Sequence, residues 1–286
     1  MTVAETLAGM PVTDLDLSRY VAVPVTGTVE DTLVAMCDAG VACACVVDDE
    51  GSLVGVFTQR DVLHRVLGHA STRSHSIAEE MSKQVRTVRR DQTVAEAMAI
   101  MNEWWVRNVP VVGERGELVG NVSWYQIMET IADVLHVRIG EHVAGEVNVT
   151  HGLRYIDFTG LNTSVPVKVG PGDSAAVAAH HMRARGIGSV MVVDGRDHLV
   201  GVLTEFDLQM HVACGPSNPG DVRVGDIMTD DPVTVDSRAP IGDAVQRMAD
   251  RGFSHVPLVA GSGRIVGVAS FRDICAFFEM SLDTLV

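Results

Sequence analysis

Stripes of mostly apolar residues recur with helical spacing at four places along the chain. Each stripe occupies positions i, i+3, i+4 and i+7, which lie on one face of an α-helix. The four stripes are Val29, Thr32, Leu33 and Met36; Val94, Ala97, Met98 and Met101; Ala175, Ala178, Ala179 and Met182; and Ile241, Ala244, Val245 and Met248. The methionine that ends each stripe lies 19 residues before a glycine. The pattern therefore predicts four amphipathic helices, one in each unit of an internal repeat.

Each predicted helix is followed by a short, continuous apolar run. The runs read ACVV, VPVV, VMVV and VPLV, and they cover residues 44–47, 109–112, 190–193 and 256–259. Runs of this length and composition are typical of buried strands. A polar turn and a second apolar run of the LVGV type come next, and another helix then begins. The sequence therefore predicts an α+β fold built from four β-α-β-β-α repeats.

The four repeats are themselves arranged as two similar halves. The glycines that follow the methionines are 146 residues apart between Gly55 and Gly201, and 147 residues apart between Gly120 and Gly267. A unit of roughly sixty residues is marginal alone, so we expect the two repeats of each half to share a core. The predicted divisions are a first pair at 17–135 (repeats at about 17–70 and 77–135), a connecting segment at 136–160, and a second pair at 161–286 (repeats at about 161–215 and 224–280).

A motif that starts at each of these glycines carries the candidate chemistry. The copies read GVFTQRD, GNVSWYQ, GVLTEFD and GVASFRD, with a hydroxyl residue at the fourth position and an acid at the seventh in all but the second copy. At the start of a helix this spacing can form a capping box, which is a purely structural role. The same turn can instead present free N–H groups to a phosphate, while the carboxylate accepts from both hydroxyls of a ribose. The motif alone leaves both interpretations open.

The helices that end in methionine, the VPVV-type strands, the LVG segments and the four motifs together resemble tandem cystathionine-β-synthase (CBS) domains. The resemblance covers nearly the whole chain from about Leu17. It implies four CBS repeats in two pseudo-twofold pairs, and it implies binding of adenine nucleotides (AMP, ADP or ATP) in the clefts between paired repeats. In this family the motif acid holds the ribose, and the hydroxyl with the helix start holds the phosphate.

The resemblance also assigns candidate residues by their position in the motifs. Arg60 and Arg272 are potential phosphate partners because each lies between the hydroxyl residue and the acid of its motif. His255 precedes a Val-Pro pair and could sense pH beside a phosphate. The candidate nucleotide-binding residues are Thr58, Arg60, Asp61, Thr204, Asp207, Thr234, His255, Val256, Pro257, Ser270, Arg272 and Asp273.

The second copy of the motif, at Ser123 and Gln126, departs from the pattern. A glutamine can complete a capping box, but its amide has one acceptor oxygen and no charge. It cannot hold two ribose hydroxyls as a carboxylate can. Trp124 and Tyr125, inside the same motif, add bulk near the mouth of the cleft. We therefore expect a degenerate site here, which keeps the fold and has lost the nucleotide.

Composition and charge limit the choice of partners. The 22 basic and 37 acidic residues give a formal charge of -15, so nucleic acids and anionic membranes are not expected partners. The chain has no run of 18 apolar residues, and its start lacks the basic region of a secretory signal. Its five cysteines include no Cys-x-x-Cys, which is typical of reduced thiols, and Cys43 and Cys45 are expected to be small core residues. We expect a cytoplasmic homodimer.

The sequence contains no arrangement typical of a catalytic site, such as Gly-x-Ser-x-Gly or His-Glu-x-x-His. We therefore expect a stand-alone regulatory module rather than an enzyme, with no catalytic cofactor and no metal site. Mg²⁺ would enter only as the counter-ion of a nucleotide. The regulated protein is not identified by the sequence. The alternative is a structural or protein-interaction module in which the motifs serve only as helix caps.

Overall fold

The structure is a computed structural model that describes residues 3–140, 158, 163–215, 218–261 and 264–276. In this part of the chain every repeat contains a three-stranded core sheet, in which the first strand runs parallel to the second and the third runs antiparallel to it. The strands are Val21–Pro24, Cys43–Val47 and Leu53–Thr58; Val88–Arg89, Asn108–Val112 and Leu118–Ser123; Lys168–Val169, Ser189–Val193 and Leu199–Thr204; and Val235–Asp236, His255–Val259 and Ile265–Ser270. The short strand Thr229–Asp230 joins the sheet of the third repeat.

The first helix of each repeat lies where the apolar stripes predict it. These helices are Val29–Ala39, Val94–Trp104, Ala175–Arg185 and Ile241–Arg251, and every residue of the four stripes is buried. The second helices differ among the repeats: they are Gln59–Asp61, continued by π-helical Val62–Val66; Trp124–Gly140; Glu205–Leu208, continued by π-helical Gln209–Ala213; and 271–276. The predicted α+β fold of four β-α-β-β-α repeats is thus confirmed.

Two further segments adjoin the repeats. The helix Val3–Gly9 packs Leu7 into the core of the second repeat, ahead of the start expected at Leu17. The helix Trp124–Gly140 extends to the beginning of the predicted connecting segment, so residues 136–140 are helical. Most of the remaining segment, at 141–157 and 159–160, lies outside the described residues. None of the described helices is both long and apolar enough to cross a membrane.

Within each half, a residue near the start of one repeat packs against the motif glycine of the other repeat. Met81, near the start of the second repeat, packs against Gly55 of the first, and Leu17, near the start of the first repeat, packs against Gly120 of the second. A Cβ atom at either glycine would collide with these side chains, so the motif requires glycine for close packing. The second half repeats this exchange, with Met228 against Gly201 and Thr163 against Gly267. The two repeats of a half are therefore reciprocally joined.

The large hydrophobic cores connect the two halves. One core combines helices and strands of the first and third repeats, and it includes Leu33 and Met182. The other combines the second and fourth repeats, and it includes Met101 and Met248. This differs from the expectation that the two repeats of one half share a core. Within a half the described sheets meet mainly through edge contacts, and in the second half also through a small cluster formed by Met191, Val202, Ile265 and Val268.

A covalent bond also joins the halves. Cys37, in the first repeat, and Cys214, in the third, form a disulfide with their Cα atoms 6.1 Å apart. The expectation that all five cysteines are reduced is therefore wrong for this pair, whose members lie 177 residues apart in sequence. Cys43 and Cys45 are fully buried, as expected for small core residues. A hydrogen bond with Cys45 and burial both raise the pKa of the Cys43 thiol, which keeps it protonated.

Candidate functional site

All four motifs form capping interactions at the start of the second helix. In the third motif the backbone N–H and the hydroxyl of Thr204 donate to Oδ2 of Asp207, at 2.7 and 2.6 Å. The same two bonds are formed by Thr58 with Asp61, by Ser270 with Asp273 and by Ser123 with Gln126. The motif therefore caps the start of a helix in every repeat. Because capping uses one carboxylate oxygen, the surroundings of the other oxygen decide what else each acid can do.

The second polar atom of the side chain at the seventh motif position has a different environment in each of the first three motifs. Oδ1 of Asp61 lies 3.3 Å from the Ser82 hydroxyl and 3.4 Å from the Arg65 guanidinium. In the second motif, the amide nitrogen of Gln126 donates to the Asp16 carbonyl. Among the described residues, none donates a hydrogen bond to Oδ1 of Asp207. Asp207 and Asp273 thus each keep one carboxylate oxygen to which no described residue donates. Of these two acids, Asp207 lines the cavity described next, and Asp273 does not.

A cavity of about 620 Å³ lies beside Thr204 and Asp207. Its volume falls in the range typical of small-molecule sites. All four repeats contribute to its wall, which combines apolar strand residues, acids and three arginines. The lining residues on which the following argument depends are Arg19, Arg107, Val202, Thr204, Asp207, Val233, Arg251, Phe253, His255 and Pro257. Burial raises the pKa of Asp207, and the hydrogen bonds from Thr204 oppose this effect in part.

A smaller recess of about 80 Å³ lies between the second, third and fourth repeats. Its volume suits a phosphate-sized group and is too small for a whole nucleoside. Ser270, Arg272, His255 and Arg107 line it, so it adjoins the fourth motif. His255 and Arg107 also line the larger cavity, and the two spaces therefore share a wall.

The structure brings together some of the candidate residues and separates others. The larger cavity is lined by Thr204, Asp207, His255 and Pro257, and the recess by His255, Ser270 and Arg272. The remaining candidates line neither space: Thr58, Arg60, Asp61, Thr234, Val256 and Asp273. Val256 is fully buried in the core that joins the second and fourth repeats. Thr229 and Val233, which both precede Thr234 in sequence, line the larger cavity instead.

Arg107 is the main site residue that the motifs did not reveal. Its guanidinium pairs with the Glu205 carboxylate at 3.2 Å, although Glu205 is buried and belongs to the other half. The only sequence signal is its place directly before the strand Asn108–Val112, the place that Ser254 takes beside His255 in the fourth repeat. A bulky cation in that turn is thus brought to the centre of the molecule.

The positive charges near this centre influence one another. Burial, followed by the nearby charges of Arg107 and Arg60, lowers the pKa of Arg272. Burial, with the charges of Arg107 and Arg272, also lowers the pKa of His255 well below its ordinary value. His255 is therefore neutral near pH 7 in the unliganded protein. Several cations close together and partly shielded from water favour an anionic ligand.

In the second motif the Gln126 side chain is covered by the chain itself, although Ser123, Trp124 and Tyr125 line the larger cavity. Gln126 is 2% exposed, and its Oε1 accepts from the Ser123 N–H at 2.7 Å while its Nε2 donates to the Asp16 carbonyl. The adjoining carbonyl of Leu17 accepts from Asn121 at 3.1 Å. The Asp16–Leu17 segment thus fills the place where a ligand would approach Gln126. That arrangement supports the expected degenerate site and gives it a physical cause.

We predict that Gln126→Asp does not create a nucleotide site. The shorter side chain cannot donate to the Asp16 carbonyl, and it would bury a carboxylate beside that oxygen. We expect a loss of about 1–3 kcal/mol in the free energy of unfolding, measured by denaturant titration, with no gain in nucleotide stoichiometry. Gln126→Glu, which keeps the side-chain length, separates the effect of charge from that of reach. An additional nucleotide bound by Gln126→Asp would show that the Asp16–Leu17 segment does not close the site.

Comparisons with known proteins agree with this architecture. The family model of the CBS domain matches residues 12–68, 76–133, 159–213 and 224–279. The crystal structure of protein MJ1225 from Methanocaldococcus jannaschii shares the fold with a TM-score of 0.77 and 18% identity, covering 94% of this chain and 100% of that chain.

Among curated relatives, the CBS domain-containing protein CBSCBSPB1 of Arabidopsis thaliana is 25% identical over 89% of this chain and 51% of its own length. Uncharacterized protein MK0525 of Methanopyrus kandleri is 36% identical over 36% of this chain and 53% of its own. The chain thus spans about half the length of these relatives. Because the family model matches all four repeats along most of the sequence, the chain belongs to the CBS domain family.

Proposed function

We propose that this protein is a non-enzymatic regulatory module that binds an adenosyl ligand, of the AMP, ADP or ATP class, in the cavity beside Thr204 and Asp207. The observation that carries the proposal concerns Asp207: it lines a cavity of about 620 Å³, and no residue in the described part of the chain donates a hydrogen bond to its Oδ1. A carboxylate that is already fixed by capping bonds is pre-oriented, so it can accept from the ribose hydroxyls without losing side-chain freedom on binding.

The lining of the cavity supports this orientation of the ligand. Val202, Val233 and Pro257 provide apolar surface on which an adenine ring would pack. Arg19 and Arg107 provide the positive charge that phosphates require. The ribose then lies between these regions, against Asp207. If a triphosphate is the ligand, Mg²⁺ accompanies it as a counter-ion.

The regulatory part of the proposal rests on where the wall of the cavity comes from. Gln59, Arg107, Thr204 and His255 belong to four different repeats, and all line the same space. A ligand in this space contacts both halves and stabilises the arrangement that fits it best. It can shift the equilibrium between arrangements only by its difference in affinity for them. The homodimer expected from the sequence would then join two four-repeat chains.

The second candidate function is a structural or interaction module without a ligand. The observation that favours it is the capping role of all four motifs, which accounts for the hydroxyl and the acid without any nucleotide. Capping does not account for the arginines that line the cavity, because those residues lie outside the motifs. The two candidates differ in whether adenosyl compounds bind.

A ligand panel distinguishes the two functions. We expect at least one of AMP, ADP, ATP and S-adenosylmethionine to raise the melting temperature of the full chain, since a ligand at 100 times its Kd adds about 2.7 kcal/mol to stability. The matched control is the 2′-deoxy form of the active compound, which keeps the base and the phosphates and lacks one hydroxyl of the ribose. It should bind more weakly. No shift with any compound at millimolar concentration would favour the structural module.

A further inference from the structure

Trp105 has a left-handed backbone conformation, and glycine occupies the equivalent position in the other three repeats. The first helices of the other three repeats end at Gly40, Gly186 and Gly252, whose φ angles are 62°, 63° and 71°. The helix Val94–Trp104 ends in the same way at Trp105, with a φ of 58° and its N–H donating to the Met101 carbonyl. A left-handed conformation is unfavourable for a residue with a Cβ atom and a bulky side chain. The second repeat thus has a strained residue at a position where the other three repeats have an unstrained glycine.

Burial does not explain why a tryptophan occupies this place. The side chain of Trp105 is 65% exposed, so the hydrophobic effect contributes little to offset the strain. Backbone strain of this kind persists where the surroundings or the function require it, and an observed outlier is therefore a reason to look for a role. The contact that distinguishes Trp105 is with Arg272: the guanidinium carbon lies 4.1 Å from the centre of the indole ring.

This contact holds a cation against the repulsion of its neighbours. Arg272 lines the recess of about 80 Å³ together with Arg107 and His255. Burial, followed by the nearby positive charges of Arg107 and Arg60, lowers the pKa of Arg272, and the Asp273 and Glu205 carboxylates oppose this effect in part. An indole face attracts a guanidinium, and the attraction is stronger where water is partly excluded. Without the indole, the flexible Arg272 side chain would turn toward solvent, away from the like charges.

We propose that Trp105 is a positioning residue that holds Arg272 over the recess, so that the arginine is ready to bind the anionic part of the ligand. The proposal rests on the proposed function only in that the ligand carries phosphate. The residues that flank Trp105 in sequence fit this role, because Met101, Asn102, Val106 and Arg107 all line the recess. The strained turn therefore places the indole at the edge of the space where its cationic partner acts.

The test uses the full chain and inorganic pyrophosphate as the probe, measured by titration calorimetry. Trp105→Gly should weaken pyrophosphate binding about tenfold, because one charge-assisted contact is no longer pre-oriented. The same variant should raise the melting temperature of the unliganded protein by a few degrees, because glycine removes the strain. Trp105→Phe, which keeps an aromatic face, should retain most of the affinity. A merely structural role would not produce higher stability together with weaker binding.

Two controls make the outcome specific. Trp104 is also exposed, and its ring contacts the Arg86 guanidinium at 3.4 Å rather than Arg272, so Trp104→Ala should leave pyrophosphate affinity unchanged. In a double-mutant cycle, Trp105→Gly should have no further effect on binding in an Arg272→Ala background. Unchanged affinity in Trp105→Gly, or an equal loss of affinity in the Arg272→Ala background, would overturn the proposal.

The outcomes also separate this proposal from the proposed function. If the wild-type protein binds ATP but not pyrophosphate, the positioning role is overturned and the adenosyl site stands. If it binds pyrophosphate, with the expected response to Trp105→Gly, but no adenosyl compound, the positioning role stands and the proposed function fails. If it binds neither, both are overturned.

Discussion

When the chain is divided between its halves, neither fragment should remain a folded monomer. Fragments 1–140 and 158–286 each contain two repeats, but the cores join the first repeat to the third and the second to the fourth. Exposing a fully buried Leu, Val or Met side chain costs about 1.5–3 kcal/mol. Several such residues lie on each separated face, and the total free energy of unfolding of a protein is only about 5–15 kcal/mol. Each fragment should therefore self-associate or lose cooperative unfolding.

Light scattering during size-exclusion chromatography measures this directly. We expect each fragment alone to elute as a dimer or larger species, and an equimolar mixture to give a 1:1 complex whose unfolding resembles that of the intact chain. The fragments should be prepared under reducing conditions, because Cys37 and Cys214 would otherwise link them covalently. Monomeric fragments that unfold cooperatively near the melting temperature of the intact chain would show that the cores between the halves are not essential.

The repeats could be predicted from the sequence because the signals that define them are local. Helical spacing in Val29–Met36 and its three counterparts predicts a buried face from eight consecutive residues, and all of these faces are buried. The strand runs and the motifs are equally local. The second helices were harder to predict: Val62–Val66 and Gln209–Ala213 are π-helical, and nothing in the pattern of apolar residues distinguishes these turns from an α-helix.

The remaining features depend on contacts between distant residues. Leu33 and Met182 lie in the same core. Their helical spacing predicts that each is buried, but it does not predict which residues cover them. Arg107 reaches the site because the strand that follows it begins there. The bond from Gln126 to the Asp16 carbonyl spans 110 residues. The Cys37–Cys214 bond spans 177 residues. Spacing along the chain carries no signal for such pairs.

Asp207→Asn should weaken the binding of an adenosyl ligand by about 10- to 100-fold, which corresponds to the loss of a hydrogen bond to a charged acceptor. Asparagine keeps one acceptor oxygen for the Thr204 cap, so the fold should be retained; Asp207→Ala would also lose the cap, at a cost of about 1 kcal/mol. The matched control is Asp61→Asn. Asp61 occupies the same motif position, but its second oxygen is already engaged by Ser82 and Arg65, so that substitution should leave ligand affinity nearly unchanged.

The pH dependence of binding provides an independent measure of the same carboxylate. Burial raises the pKa of Asp207 in the folded protein, so stability from this group is fully present below its unfolded pKa and is lost as the pH rises through the folded pKa. At pH 7 the ionised, partly buried carboxylate of Asp207 therefore lowers the free energy of unfolding. Asp207→Asn removes this destabilising charge, so the variant should be at least as stable as the wild type at pH 7. Ligand affinity should instead increase as the pH rises, because only the ionised carboxylate can accept from both ribose hydroxyls.

Calorimetric titrations at a series of acidic pH values would follow this loss of affinity. The wild-type affinity should fall as the pH decreases through the raised pKa of Asp207, beginning above the range of an ordinary aspartate, while Asp207→Asn should show no corresponding step. Adenosine should serve as the ligand in these titrations, because it has no phosphate whose own ionisation would obscure the step. Equal pH profiles for the wild type and Asp207→Asn would mean that the ribose binds elsewhere and that Asp207 only caps its helix.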